Sequence, residues 1–293
     1  MTPLALALVL AAAVCHATWN LVAKKAGGGN AFVLIGSLQV SVLWAPLVLW
    51  VGVQAVGTWG PAEWAILAGS ALVHVLYFRC LLHGYAVSDL TVVYPVARGS
   101  GPLLSCIGAV LVLGEAVSLV GALGALAVVS GVFLIAGGPG LWRSAHDPAQ
   151  RQRVRRGLAW GALTGAFIAL YTLLDGYAVK VMLISPILVD YVGNVLRIPV
   201  MLPFALRDRA GFMQACRTQW RPALVVAVLG PLSYVMVLYA MRMAPLSHVA
   251  PAREVSMLFA ALLGGTLLGE GDRWLRLAGA AAIAAGVVAL ALG

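Results

Sequence analysis

Charged side chains are scarce in this sequence, and acidic ones are the scarcest. Only 10% of its 293 residues are Asp, Glu, Lys or Arg, whereas 62% are hydrophobic. A soluble domain carries about 25% charged residues, so this composition excludes an ordinary water-soluble fold. The 10 acidic residues are outnumbered by 19 Lys and Arg, which gives a net charge of +9. The chain has no DNA-binding motif and no aromatic–basic platform for single strands, so we predict no nucleic-acid partner.

Cysteine and the common catalytic motifs are equally scarce. The four cysteines form no CxxC pair, which argues against both a disulfide framework and a zinc site. A Walker lysine motif, a GxSxG elbow and an HExxH motif are all missing, and the five histidines are scattered along the chain. We therefore predict that the protein is not an enzyme, and that it has no catalytic residue, no metal site and no cofactor.

Long apolar runs, by contrast, fill almost the whole chain. A helix that spans a bilayer needs about 20 mostly apolar residues. Suitable runs occur at 3–23, 30–52, 63–83, 90–113, 117–137, 157–178, 184–205, 222–243, 247–268 and 274–292. They predict an all-α integral membrane protein with ten transmembrane helices. The first run has no Lys or Arg before Lys24, so we interpret it as a retained span and not as a signal peptide.

The chain divides into two similar halves of five predicted spans each. A basic polar connector at 138–156 separates a first repeat at 1–137 from a second repeat at 157–293. Pairs with a common offset of 155 residues are Arg98 with Arg253, Glu115 with Glu270, Gly124 with Gly279 and Gly131 with Gly286. Because five is odd, the second repeat must enter the membrane from the opposite side. The pattern predicts two inverted five-helix repeats, with a substrate site near the midplane where they meet.

Basic residues collect in the odd-numbered connections between the predicted spans. Of the 19 Lys and Arg, 13 lie there, whereas only Lys180 and Arg242 border even-numbered connections. Positive residues favour the cytoplasmic side of a membrane. The odd-numbered connections are therefore predicted to be cytoplasmic, and both termini are predicted to lie on the opposite side.

Seven charged residues lie at apparent membrane depth within the apolar runs, where each costs at least about 2.5–3.5 kcal/mol at mid-bilayer. They are Arg79, Arg98, Asp175, Asp190, Arg197, Arg253 and Glu254. Such residues either form salt bridges that hold helices together or line a polar pathway, and we favour the pathway for the set as a whole. The four bases outnumber the three acids. This excess predicts an anionic or zwitterionic ligand, because arginine holds a carboxylate through paired hydrogen bonds.

Several polar residues share helix faces within the predicted spans. His16, Trp19 and Asn20 stand three and four residues apart, so they lie on one face of the first span. Asp190, Asn194 and Arg197 are spaced four and then three residues apart, and they form a polar stripe along the seventh span. Our candidate substrate-binding residues are His16, Trp19, Asn20, Tyr77, Tyr94, Arg98, Tyr171, Asp175, Asn194, Arg197, Arg253 and Glu254.

Two other sets of residues are interpreted as structural. Glu115 and Glu270 follow glycines at the ends of the fourth and ninth predicted spans, and we expect each to cap a helix or to pair with a cation. Gly161 and Gly165 stand four residues apart in the sixth span. This spacing of small residues indicates close helix packing rather than a binding site.

Two sets of motifs carry a resemblance to a known family. One is the stretch from His16 to Asn20 followed by Lys24, and the other is the pair of Pro…Arg…Leu-Gly-Glu stretches that end at Glu115 and Glu270. In these motifs the chain resembles the drug/metabolite transporter superfamily, specifically its EamA-like family of ten-span carriers, over nearly the full length. The resemblance implies a helical basket in which the first, third, fourth, sixth, eighth and ninth spans surround a central cavity. It also implies secondary transport, often export, of amino acids, metabolites or drugs in a bacterial inner membrane.

Two features depart from the superfamily pattern. Small multidrug exporters of the superfamily use a glutamate in the first span for proton–cation exchange, whereas this first span offers His16 and Asn20 and no acid. Relatives are also commonly drawn with both termini in the cytoplasm, whereas the count of basic residues here places them outside. The first departure disfavours a cationic drug as the substrate.

Together these observations predict a secondary active transporter that exports a small amino acid-like metabolite, anionic or zwitterionic, by alternating access in a bacterial inner membrane. The partners that we expect are the substrate, the lipid bilayer and a proton as coupling ion, for which His16, Asp175 or Glu254 are the candidates. The alternatives are a multidrug or cationic drug exporter and a non-transporting membrane scaffold. A membrane-embedded enzyme would need clustered acids or histidines near one membrane face, and the sequence contains no such cluster. The sequence leaves open whether the protein is a monomer or a homodimer.

Overall fold

A computed structural model describes residues 1–27, 29–135, 148–263 and 273–293, and these residues form helices and connections with no strand. The first half folds into α1 (Pro3–Lys25), α2 (Asn30–Leu43), α3 (Ala45–Val56), α4 (Pro61–Val87), α5 (Leu90–Leu113) and α6 (Leu119–Ile135). The second half folds into α7 (Pro148–Lys180), α8 (Pro186–Arg207), α9 (Arg209–Thr218), α10 (Trp220–Met243), α11 (Leu246–Ala252), a 3-10 turn (Arg253–Val255), α12 (Ser256–Leu263) and α13 (Arg273–Leu292). The predicted all-α membrane fold is confirmed.

The described helices match the predicted spans in position but not all in length. By length and apolar composition, six of the described helices qualify as membrane spans: α1, α4, α5, α7, α8 and α10. A seventh span results if α2 and α3 are counted together, because they are bent by 50° where they meet. α6 and the 277–292 part of α13 are apolar but shorter, and a 3-10 turn interrupts the ninth predicted span. The count of ten spans therefore remains a prediction.

Two connections contain helix that the sequence did not predict. Residues 148–156 of the predicted basic connector form the first turns of α7, which begins at Pro148. The rest of that connector, residues 138–147, lies outside the described residues. The seventh connection contains α9, where the Asp208 side chain accepts a hydrogen bond from the Gly211 amide and so caps the first turn.

Proline and glycine set several of the helix ends. Pro3, Pro61 and Pro186 occupy the first turns of α1, α4 and α8, where a missing amide hydrogen is not needed by the helix. α5 ends at Gly114, which has a φ of 65°. Glycine favours this left-handed conformation because it has no Cβ, so the chain can leave α5 and turn toward α6.

The odd-numbered connections contact one another, and the even-numbered connections contact one another. The Gln219 side chain donates to the Ala26 carbonyl at 2.9 Å and joins the first and seventh connections. Arg153 and Asp89 form an ion pair of 2.9 Å between the third and fifth connections. In the even-numbered set, Lys180 contacts Glu115 at 2.7 Å. The connections thus group as the count of basic residues assumes, while the end that faces the cytoplasm stays a prediction.

A close helix crossing joins α6 to α13, and it is built from the repeated glycines. A Cβ on Gly131 would lie 2.6 Å from the Gly279 carbonyl oxygen, and one on Gly279 would lie 2.7 Å from the Gly131 carbonyl oxygen. Gly124 and Gly286 face each other in the same reciprocal way, at 2.9 and 2.6 Å. The two helices are antiparallel, and the contact is symmetric under the offset of 155. This is the contact that an inverted repeat produces when equivalent helices meet on its two-fold axis.

Gly161 and Gly165 serve close packing, as the sequence predicts. A Cβ on Gly161 would lie 2.8 Å from the Val96 Cβ, and one on Gly165 would lie 2.0 Å from the Ser100 hydroxyl. Both contacts bring α7 against α5. Small residues allow helix backbones to approach closely in a membrane, where packing replaces the hydrophobic effect as the main attraction between helices.

Replacing Gly131 by alanine is expected to destabilise the protein. The new methyl group would have to displace the backbone of α13, and overpacking of this kind costs about 1–3 kcal/mol. Gly69 on α4 is the matched control, because a Cβ there would meet nothing within 4 Å. We expect a lower thermal unfolding temperature in detergent for Gly131→Ala only. Equal unfolding temperatures for the two variants would contradict the close crossing.

Candidate functional site

A buried group of two arginines and one glutamate lies where α5 meets the interrupted ninth span. Arg98 Nη2 lies 2.9 Å from Glu254 Oε2, and Arg253 Nε lies 3.7 Å from Glu254 Oε1. The Glu254 side chain is 1% exposed. Each arginine also donates to a hydroxyl, Arg98 to Ser256 at 3.2 Å and Arg253 to Thr172 at 3.4 Å. Glu254 is therefore placed between two guanidinium groups from different halves of the chain.

The backbone break in the ninth predicted span places this group. α11 contains Pro251, which cannot donate a backbone hydrogen bond within the helix. The chain then tightens into the 3-10 turn at Arg253–Val255 before α12 begins. Irregular backbone at membrane depth is tolerated only where it is buried in protein or lines a cavity. Discontinuous helices of this type form substrate sites in many transporters.

Several charged atoms in this region have no hydrogen-bond partner among the described residues. They are the Nε atoms of Arg98, Arg197 and Arg253. A buried charge is strongly unfavourable unless it is paired and hydrogen-bonded. The ion pairs compensate charge but leave these directed bonds unmade. The three Nε atoms are therefore available to donate to a further polar group.

A second cluster surrounds Asp175 on α7. Its carboxylate accepts hydrogen bonds from the Ser70 hydroxyl of α4 at 2.5 Å and from the Tyr234 hydroxyl of α10. The His74 ring stacks on the Tyr171 ring with centroids 4.0 Å apart. Asp175 is 2% exposed. The cluster connects three helices and holds a carboxylate with neutral hydroxyl donors.

The two clusters are neighbours because they share α7. Thr172, which accepts from Arg253, and Asp175 stand three residues apart. Residues at this spacing lie about 5–6 Å apart on the same helix face. The Tyr77 ring lies 5.7 Å from the Tyr171 ring, which also stacks on His74. The centre of the protein thus presents two guanidinium groups on one side and a carboxylate on the other.

The polar stripe on α8 forms a third part of the site. The Asn194 amide donates to the Asp190 carboxylate at 3.1 Å and to the Asp190 carbonyl at 2.9 Å. Arg197, one turn further along, interacts electrostatically with both Asp190 and Asp175. The predicted stripe is therefore connected to the Asp175 cluster through Arg197.

The candidate residues of α1 are only partly free for a ligand. The His16 and Trp19 rings meet edge to face with centroids 4.8 Å apart. The Asn20 amide donates to the His16 carbonyl of its own helix at 2.8 Å. His16 is within electrostatic range of Arg98 and Arg253. The first span therefore presents an imidazole toward the arginines, while its asparagine is engaged locally.

The helices that contribute to the site agree with the basket that the resemblance implies. Side chains come from α1, α4, α5, α7, α10 and the interrupted ninth span, and α8 adds a further set. Tyr94 on α5 lies one turn before Arg98 and interacts with it electrostatically. All 12 predicted site residues lie in the described part of the chain. Glu270 lies outside it.

Sequence reasoning missed four hydroxyl groups of the site. Ser70, Thr172, Tyr234 and Ser256 each bond one of the buried charged groups. A serine or threonine is common on any membrane helix, so these residues carry no distinct signal by themselves. The spacing of Ser70 and His74, four residues apart on α4, is the one pattern that marks a polar face there.

The buried polar site lies where the two helical halves meet, at the broken ninth span. The EamA-like transporter family model matches residues 155–292, the second half of the chain, which confirms the resemblance there and indicates a membrane transporter of this type. A comparison with curated proteins gives no match. Among solved structures 28 chains match, and one crystal structure of a protein superposes with a TM-score of 0.74 over 98% of each chain at 14% identity. That identity shows the fold alone.

Proposed function

We propose that the protein is a secondary active transporter that exports a small amino acid-like metabolite across a bacterial inner membrane. The observation that carries this proposal is the group of Arg98, Arg253 and Glu254, in which buried charged atoms lack hydrogen-bond partners among the described residues. The family match over residues 155–292 supports membrane transport as such. The substrate, the direction and the bacterial inner membrane belong to the proposal.

The charge distribution favours a zwitterionic or anionic substrate with a carboxylate. Arg98 and Arg253 outnumber Glu254 at one pole, and guanidinium forks bind carboxylates through two parallel hydrogen bonds. Asp175 at the other pole offers a carboxylate to an ammonium group. One helical turn separates the poles, which suits a compact molecule that carries both charges. A purely cationic drug would meet the arginine pole and be repelled.

Alternating access between the two halves is the mechanism that we propose. The site residues are buried in this state, with the Arg98 and Arg253 side chains 12% and 11% exposed. A bilayer, one substrate molecule and a coupling proton are the partners of the proposal. His16, Asp175 and Glu254 are the candidate proton carriers, because imidazole and carboxyl side chains can both accept and release a proton.

The proposal is tested by thermal shift with the purified protein in detergent. The compounds are amino acids, simple monocarboxylates, phosphonates and lipophilic cations. A ligand at 100 times its dissociation constant stabilises a protein by about 2.7 kcal/mol. We expect stabilisation by carboxylate-bearing compounds, and we expect Arg253→Ala to abolish it.

The matched control is Arg242→Ala, which removes an arginine from an exposed position on α10. This variant should keep the wild-type shift. Stabilisation by lipophilic cations alone would replace the proposal by cationic drug export through Asp175. The absence of any shift would favour the scaffold alternative.

A further inference from the structure

Glu254 differs from the other buried carboxylates in the way it is held. Asp175 accepts hydrogen bonds from two hydroxyl groups, and Glu115 accepts bonds from Lys180 and from backbone amides. Within the described part of the chain, Glu254 accepts from no hydroxyl group and no backbone amide. The guanidinium groups of Arg98 and Arg253 are the groups that hold this carboxylate there.

The position of Glu254 is the one that an external carboxylate would take. Its oxygens lie 2.9 Å from Arg98 and 3.7 Å from Arg253, one toward each guanidinium group. No second acid among the described residues forms an ion pair with either arginine. A ligand carboxylate that bound both arginines would therefore compete with Glu254 for the same two donors.

The backbone at Glu254 allows the side chain to leave this position. It lies in the 3-10 turn at Arg253–Val255, between the regular helices α11 and α12. A 3-10 turn within a helix often marks a hinge. The carboxylate can therefore move away from the arginines without the disruption of a complete helix.

From these observations we infer that Glu254 is a tethered occupant of the substrate carboxylate position. The substrate carboxylate displaces it from Arg98 and Arg253, and the competition sets the apparent affinity for the substrate. This inference rests on the proposed function, because it specifies that the recognised group is a carboxylate between the two arginines. It gives Glu254 a role in specificity, since a ligand group that cannot replace a carboxylate cannot displace it.

Chemical rescue by acetate tests the inference without knowledge of the natural substrate. Glu254→Ala leaves Arg98 and Arg253 without their internal anion, so we expect a lowered thermal unfolding temperature that acetate raises again in a saturable manner. Arg98→Ala combined with Glu254→Ala should lose the acetate effect. Sodium chloride at the same ionic strength serves as the control for screening.

Asp175→Ala is the matched control for removal of a buried carboxylate. Its partners, Ser70 and Tyr234, are neutral hydroxyl groups, so acetate should restore little of its stability. If acetate stabilises Glu254→Ala no more than Asp175→Ala, the inference is overturned. The proposed function would stand in that case if carboxylates still stabilise the wild-type protein.

A second variant keeps the test decisive if Glu254→Ala does not fold. Glu254→Gln keeps the shape of the side chain but removes its charge. If Glu254 leaves Arg98 and Arg253 accessible in only about one molecule in ten, the apparent affinity for acetate falls about tenfold. We therefore expect acetate to bind Glu254→Gln at least about tenfold more tightly than the wild type. Equal or weaker binding by Glu254→Gln would contradict the inference.

Discussion

Replacement of Arg98 by lysine is expected to reduce transport of a carboxylate substrate by about 100-fold while the protein still folds. The lysine keeps a positive charge next to Glu254, so the buried acid remains compensated. It lacks the planar fork that makes two parallel hydrogen bonds to a carboxylate. Loss of one of the two hydrogen bonds to the charged carboxylate costs about 1.5–3 kcal/mol, which corresponds to roughly 10-fold to 150-fold in an equilibrium constant.

The measurement is uptake into proteoliposomes of the carboxylate compound that stabilises the purified protein. Protein abundance and the thermal unfolding temperature are measured on the same preparations, so that a folding defect is separated from a transport defect. Arg242→Lys makes the same exchange at an exposed position of α10 and should keep wild-type uptake. Full activity of Arg98→Lys would remove the bidentate role of Arg98 from the mechanism.

Much of this site was predictable because charge burial in a membrane is so unfavourable. An arginine within an apolar run must face the protein interior or water, so Arg98 and Arg253 could be placed at the centre before any contact was known. The common offset of 155 residues then related the two arginines to each other. What the offset did not reveal is that Glu254 lies between them, because an ion pair between distant segments leaves no mark in a single sequence.

The Asp175 cluster shows the same limit more clearly. Its donors come from α4 and α10, 105 and 59 residues away in sequence. Serine and tyrosine are compatible with many positions of a membrane helix, so neither Ser70 nor Tyr234 stood out. Helix spacing predicts only neighbours on one helix, and it therefore found the Asp190–Asn194 contact on α8 but not the contacts between helices.

The sequence pattern also did not predict where individual spans bend or break. Apolar composition continues through 30–52 and 247–268, yet the helices bend near Trp44 and break at Arg253. Such breaks depend on how neighbouring helices satisfy the freed backbone groups. The glycines were more informative, since Gly124 and Gly131 lie at the crossing with their repeat equivalents. The common offset marked the residues that lie at the symmetric contact between α6 and α13, but it did not by itself predict that the two helices meet.

Replacement of Glu115 by glutamine is expected to lower the stability of the protein by about 2–4 kcal/mol at neutral pH. Glu115 lies in the connection after α5, at the end of the molecule where α7 ends and α11 begins. Its carboxylate accepts from Lys180 at 2.7 Å, from the Leu246 amide at 2.7 Å, and from the Ser247 amide and hydroxyl at 2.9 and 2.8 Å. Hydrogen bonds to charged groups contribute about 1.5–3 kcal/mol each, and removal of one partner leaves the others unsatisfied.

The effect should depend on pH with a definite sign. Burial by itself would raise the pKa of the Glu115 carboxyl, but Lys180 and the Ser247 and Leu246 donors outweigh burial and hold the pKa below its usual value of 4.5. A group with a lowered pKa in the folded state stabilises the protein above its unfolded pKa and loses this contribution as the pH falls through the folded value. The difference between wild type and Glu115→Gln should therefore be constant from neutral pH down to about 4.5 and shrink below it.

Thermal unfolding in detergent across this pH range provides the measurement. Glu63→Gln is the matched control, because Glu63 accepts a single hydrogen bond, from the Gly60 amide at 2.9 Å, and should change stability by only about 0.5–1 kcal/mol. If the difference between wild type and Glu115→Gln stayed the same below pH 4.5, its origin would lie in side-chain shape and not in charge. The expected decrease instead identifies the Glu115 charge as the group that holds α5, α7 and α11 together at this end of the protein.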